Sequence, residues 1–162
     1  MKSYSQALKI LKRSRIIFNN ETIKSVNSLN RVCASNVYSN SYYPAADNSA
    51  FDGFAVNSQD TKNLNTKRGK LFKILGTIAA GNKPKIFKKK KFQTFEIMTG
   101  GIIPKGFDTI IPIEQIVFHP NKKNPLNILI NSKVKKYQHV RFKGSDYKKK
   151  EIIIKKNTII QP

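Results

Sequence analysis

The chain holds a single cysteine, Cys33, no tryptophan, two histidines and nine acidic residues among 162 positions. One cysteine excludes an internal disulfide and any thiolate cluster for zinc. His119 and His139 are too few to build a metal site without carboxylates. Long apolar runs are also missing, and nothing approaches membrane-spanning length. The start, MKSYSQALKILKRSRIIF, is interrupted by Lys9, Lys12, Arg13 and Arg15, so it lacks the continuous apolar core of a signal peptide. These absences lead to the expectation of a soluble, cytoplasmic protein that does not engage the membrane.

What the chain has in excess is positive charge: 31 Lys and Arg against nine Asp and Glu, a formal +22. Such a field attracts nucleic acid through counterion release and steering, so nonspecific nucleic-acid binding is expected at low salt. A dedicated reader of nucleic acid favours arginine for bidentate contacts. Here lysine dominates, in runs such as Lys88–Lys91 and Lys148–Lys150, and Arg13, Arg31, Arg68 and Arg141 are scattered. The hydrophobic fraction of 39%, much of it Ile and Phe, is enough to form a core. The length suits one ordinary domain or two small ones.

Along the chain, the apolar spacing of Ala7, Leu8 and Leu11 predicts a helix from Ser3 to about Phe18, stopped by Asn19-Asn20. A second short helix is expected over Val26–Ala34, where Val26, Leu29, Val32 and Cys33 recur at helical spacing. Beyond Val37 the texture changes to short apolar runs punctuated by Gly, Pro and Asn. The strand-like stretches are Gly53–Asn57, Leu71–Leu75, Phe92–Met98, Thr109–Ile113, Ile116–Phe118, Leu126–Ile130, Glu151–Ile154 and Asn157–Ile160, with a surface loop at 62–70. The pattern predicts a mainly β unit with N-terminal helices (α+β), barrel-like or a sandwich.

Four segments carry a resemblance. Pro44-Ala-Ala-Asp-Asn-Ser-Ala-Phe-Asp-Gly-Phe-Ala-Val56 stands beside P-x-x-D-N-S-A-M-D-G-Y-A-V. Gly76-Thr-Ile-Ala-Ala-Gly81 stands beside a G-x-x-x-A-G turn. Ile97-Met-Thr-Gly-Gly-Ile-Ile-Pro-Lys-Gly-Phe-Asp-Thr-Ile-Ile-Pro-Ile-Glu114 follows I-M-T-G-A-x-x-P-x-G-A-D-A-V-V-x-x-E. Gln138-His-Val-Arg-Phe-Lys-Gly-Ser-Asp146 follows Q-N-I-R-x-x-G-E-D. In order and spacing these resemble the molybdopterin molybdenumtransferase family, which includes bacterial MoeA and the gephyrin E domain. The resemblance implies a linker-like domain formed from both ends, 1–42 and 138–162, with a mainly β domain, 43–137, inserted between them. It also implies a third, pterin-binding domain that this chain does not include, and an active site shared between subunits of a dimer.

The implied reaction inserts molybdate into adenylyl-molybdopterin and releases AMP in molybdenum cofactor biosynthesis, with magnesium. The 162-residue chain alone is expected to be inactive. Opening a phosphate–phosphate anhydride with an oxyanion calls for a hard cation and for groups that orient two anions. The resemblance makes Asp52, Thr99 and Asp146 the candidate catalytic residues, with Asp52 and Asp146 as metal ligands. Ser49, Gly100, Arg141 and Lys143 are candidates for binding the substrate. Read from the residues alone, Asp52 is equally an Asp that accepts N–H bonds in its own turn, Thr99 is a strand-to-turn residue, and Asp47, Asn48 and Ser49 are turn formers. The chain departs from the family pattern at Ser145, in place of Glu, at Gly101, in place of Ala, and at Phe51, in place of Met. Two other classes of function stand beside the transferase: a scaffold or binding module that keeps the architecture without the chemistry, and a basic nucleic-acid-binding protein. Under the first reading the partners are a homodimer mate or a polypeptide supplying the third domain.

Overall fold

The structure is a computed structural model that describes residues 2–14, 18–83 and 88–162. It divides into two compact units, Met1–Val37 with Ile152–Pro162, and Tyr38–Glu151. These boundaries differ from the 42/43 and 137/138 divisions expected from sequence. The elements in order are a helix α1 (Tyr4–Arg13) and ten strands. The strands are β1 (Val37–Tyr38), β2 (Asn48–Ser49), β3 (Gly53–Val56), β4 (Lys70–Ile78) and β5 (Gln93–Ile97), then β6 (Thr109–Pro112), β7 (Val117–His119), β8 (Asn127–Ile130), β9 (Val140–Arg141) and β10 (Ile152–Ile154).

In the first unit, α1 begins at Ser3, which accepts from Gln6 N–H while the Gln6 side chain reaches back to Ser3 N–H, a capping box. Ser14 closes it, with its N–H donating to Ile10 O over 2.9 Å. The helix ends sooner than the expected Phe18; residues 15–17 lie outside the described residues. The second expected helix does not form. Only a 3-10 turn, Ser25–Asn27, stands in its place. The backbone of the following residues is committed elsewhere: Asn30 N–H donates to Ile160 O, Cys33 N–H to Thr158 O, and Ile160 N–H to Arg31 O. Long-range pairing of the two chain ends thus overrides a helical period, and Asn30, at φ +62, breaks it locally. The expected strand Asn157–Ile160 narrows to one bridge, Val32 to Ile159, because Asn157 is left-handed at φ +65.

The second unit is built on a six-stranded sheet in the order β6-β3-β5-β4-β8-β7. All pairs are antiparallel except β4–β5. That parallel pair is reached through residues 79–92, a connection of the length such a crossover requires. The sheet is curled, and the chain connectivity says why. Edge strands β6 and β7 lie at opposite ends of the sheet yet are joined only by residues 113–116, three of which form a 3-10 turn. Strands sit about 4.8 Å apart, so a flat sheet of this width would need a link of roughly 24 Å. The few residues available, at no more than about 3.5 Å each, cannot span it. The two edges therefore approach, giving a half-barrel rather than the sandwich that was the other expectation.

Curling buries β3 and β6 on both faces. Phe54, Val56, Phe72, Ile111, Ile128 and Ile130 form one cluster, and Ala55, Ile78, Ile97, Phe107 and Ile110 form the other. Period-two alternation explains the split: Phe54 and Ala55 are neighbours in sequence but face opposite sides. The buried threonines keep their hydroxyls satisfied, Thr94 Oγ1 donating to Ala55 O and Thr109 Oγ1 to Lys135 O, each at 2.8 Å.

Candidate functional site

All four motifs meet in the second unit around Gly100 and Gly101. The first motif supplies β2, which pairs antiparallel with β9 of the fourth, Asn48 opposite Arg141 and Ser49 opposite Val140. Asn48 also bridges to Ile102 of the third motif. Gly100 N–H donates to Ser49 O and Ser49 N–H to Gly101 O, each over 2.9 Å. The second motif arrives from below, where Met98 N–H donates to Ile78 O. That motif is less a turn than the end of β4, with Gly76 at φ +147 in the register shift between β4 and β5, followed by a turn at 79–82.

Glycine is needed at two points here. A Cβ on Gly53 would fall 2.1 Å from Ile111 O, on the paired strand β6 beside it. A Cβ on Gly101 would lie 2.8 Å from both Ile97 Cγ1 and Met98 O. Alanine, the residue of the family pattern at position 101, therefore does not fit this backbone without a shift.

Asp52 follows β2 and precedes β3, on an exposed turn. Its Oδ1 accepts two hydrogen bonds from Thr99, one from the backbone N–H at 2.6 Å and one from Oγ1 at 2.7 Å. Its carbonyl accepts from Ile113 N–H at 3.0 Å, fixing the turn to the 3-10 segment after β6. The Thr99 N–H, and after it the Thr99 hydroxyl, hold the Asp52 carboxyl below its ordinary 3.8. The result is an anion at all but strongly acidic pH, with Oδ1 occupied and Oδ2 directed to no partner among the described residues.

Ser49, by contrast, is buried, and its hydroxyl donates to Phe51 O, so it shapes the turn. Gly100, at φ +79, supplies the bend that brings Thr99 to Asp52. Asp146 is not in hydrogen-bond contact with Asp52: it pairs with Arg141 and accepts from Ser145 Oγ at 3.1 Å. Lys143 N–H donates to Asp47 Oδ1 at 2.8 Å, and its ammonium lies 4.7 Å from the Tyr42 ring centre, while the Arg141 guanidinium lies 5.7 Å from that of Tyr43. The predicted residues thus form two groups, Asp52 with Thr99 and Arg141 with Asp146, connected through the β2–β9 pair. Among the described residues no three His, Cys, Asp or Glu side chains gather as a metal cluster. Sequence reading missed the contact of Phe51 with His139, whose rings meet at 4.8 Å and 77°. The signal was present, since both positions depart from the family pattern, but nothing in the sequence put them side by side.

The fold matches a solved structure, the crystal structure of molybdopterin biosynthesis moeA protein from Pyrococcus horikoshii OT3. The TM-score is 0.86 at 27% identity, covering 98% of this chain and 41% of that one. Curated relatives named molybdopterin molybdenumtransferase include that of Synechococcus elongatus, 27% identical over 99% of this chain and 39% of its own length. That of Haemophilus influenzae is 31% identical over 82% of this chain and 30% of its own length. The chain therefore spans well under half the length of the relatives it matches. Residues 2–162 match the family description "MoeA N-terminal region (domain I and II)", and the chain belongs to that family.

Proposed function

We propose that this chain contributes one wall of a composite molybdopterin molybdenumtransferase site, at which molybdate is inserted into adenylyl-molybdopterin and AMP leaves. Asp52 with Thr99 carries the reading. An exposed carboxylate whose one oxygen is pinned by two donors presents its second oxygen in a fixed direction. A carboxylate kept anionic and preorganised in this way suits the orientation of a hard cation or a phosphate-bearing substrate. Two further features favour chemistry over bare scaffolding. Arg141 and Lys143 put positive charge on the neighbouring strand and loop. The relatives' shared name points to the same reaction.

A single carboxylate with a free oxygen fits magnesium, which is commonly held by one or two protein carboxylates together with substrate phosphates and waters. Asp52 would be the ligand from this chain, and the bound cation would neutralise charge developing on the anhydride oxygens. Asp146 has a different part: paired with Arg141 and accepting from Ser145, it helps hold the guanidinium near the Tyr43 ring. The remaining walls, with most of the pterin pocket, belong to the part of the relatives that this chain does not match, so the 162-residue chain alone has no turnover.

The test is Asp52→Asn in a complete enzyme that carries this region. It keeps the shape of the turn and removes the charge. Molybdate-dependent AMP release is expected to fall by about a hundredfold, in the range seen when a preorganised electrostatic group is lost. Turnover equal to the parent removes Asp52 from the chemistry.

A further inference from the structure

The turn that carries Asp52 also presents Phe51, which is 49% exposed. Its ring adjoins the Asp52 carboxylate in sequence and is firmly held. Phe51 N–H donates to Ser49 Oγ over 3.3 Å, and the Ser49 hydroxyl donates back to Phe51 O. Ala50 N–H donates to His139 O over 3.0 Å. The His139 ring then meets the Phe51 ring edge to face, with centres 4.8 Å apart. His139 sits at φ +57, a conformation that costs a non-glycine residue energy, and its carbonyl and its ring both brace the Phe51 turn. Where the family pattern has a flexible Met and an Asn, this chain has two rings in contact.

We propose that Phe51, braced by His139, is a stacking face for the planar nitrogen heterocycle of the substrate whose phosphates are handled at Asp52. The proposal rests on the transferase reading and deepens it. The chemistry recognised is a flat nitrogen heterocycle, and the implied substrate carries two, adenine and pterin. A ring already fixed by backbone and by a neighbour loses little freedom when a ligand covers it, so most of the stacking energy goes into affinity. With magnesium held at Asp52, the site favours a ligand whose phosphate lies within reach of its ring. His139 touches no ligand in this arrangement and is a positioning residue.

The experiment follows the backbone amides of Asp52 and Thr99 by NMR in the 162-residue chain with magnesium present, titrated separately with AMP and with the soluble pterin neopterin monophosphate. Saturable shifts are expected with one of the two, and which one identifies the heterocycle. Phe51→Ala and Phe51→Leu should each raise the dissociation constant about tenfold, in keeping with the loss of one aromatic stack, while Phe51→Trp restores it. Leucine keeps an apolar side chain, so folding survives its introduction and loss of affinity there reports the ring. His139→Ala should raise the constant by a smaller factor, and His139→Phe should recover it. No saturable shift with either compound overturns the proposal, as does a Phe51→Leu chain that binds as tightly as the parent. The two readings fail separately. Phe51→Leu with unaltered binding, alongside an inactive Asp52→Asn enzyme, removes the stacking face alone. A fully active Asp52→Asn enzyme removes the transferase role of Asp52, whatever Phe51 does.

Discussion

At the scale of single residues, the Asp52–Thr99 pair is the most informative feature, because its two donors have separable effects. The Thr99 N–H is the larger cause of the lowered Asp52 pKa and the hydroxyl the smaller. Thr99→Val removes only the hydroxyl. Carboxyl NMR should then show the Asp52 pKa rising part of the way to 3.8 and stopping short of it. The sign for stability follows: a carboxyl with a depressed folded pKa contributes stability above its unfolded value, and that contribution is lost as pH falls through the folded one. Thr99→Val should therefore lose its share of stability at neutral pH and differ little from the parent in strong acid. Gly53 gives a second prediction. Gly53→Ala puts a methyl 2.1 Å from Ile111 O, in backbone that cannot rotate away, and should cost more than about 3 kcal/mol by urea unfolding.

At the scale of elements, the strands were legible and their partners were not. Short runs of Ile, Phe and Thr between Gly, Pro and Asn marked β3 and β5 to β8 to within a residue, while β4 runs three residues past the expected Leu75, through Gly76. The run Val26–Ala34 misled, since its apolar spacing suits a helix while its backbone pairs with residues 158–160, which lie far away in sequence. The motifs located Asp52 and Thr99, but only the β2–β9 pairing brings the first and fourth motifs together. The candidate residues were thus readable as types and none of their contacts was. The connection between β4 and β5 depends on a contact of this kind. Lys89 Nζ meets Asp60 at 2.6 Å with both side chains largely covered, and Phe92 N–H donates to the same oxygen. Lys89→Met should destabilise the second unit by about 3 kcal/mol, because it leaves a buried carboxylate without its cation. Thermal or urea unfolding reads this directly.

At the scale of the whole molecule, the charge of +22 sets behaviour that no single site explains. Binding to a mixed-sequence DNA duplex should be measurable at low salt, fall steeply with the logarithm of salt concentration, and vanish near physiological ionic strength. Binding that persists there, and prefers one sequence, points instead to a nucleic-acid function. Charge of this kind is compatible with a site that gathers anionic substrates, since a positive field raises their local concentration. No helix among the described residues is long and apolar enough to cross a membrane. The family membership and the half-barrel make the composite transferase site the reading that unites the residue and element scales.

That reading is tested most directly by the rate of molybdate-dependent AMP release from adenylyl-molybdopterin. It should be measured for the 162-residue chain alone and for the same chain fused ahead of the part of the Haemophilus influenzae relative that it does not match. The composite site predicts no release above background from the chain alone and turnover from the fusion. Turnover by the chain alone, or a folded fusion that releases no AMP, contradicts it.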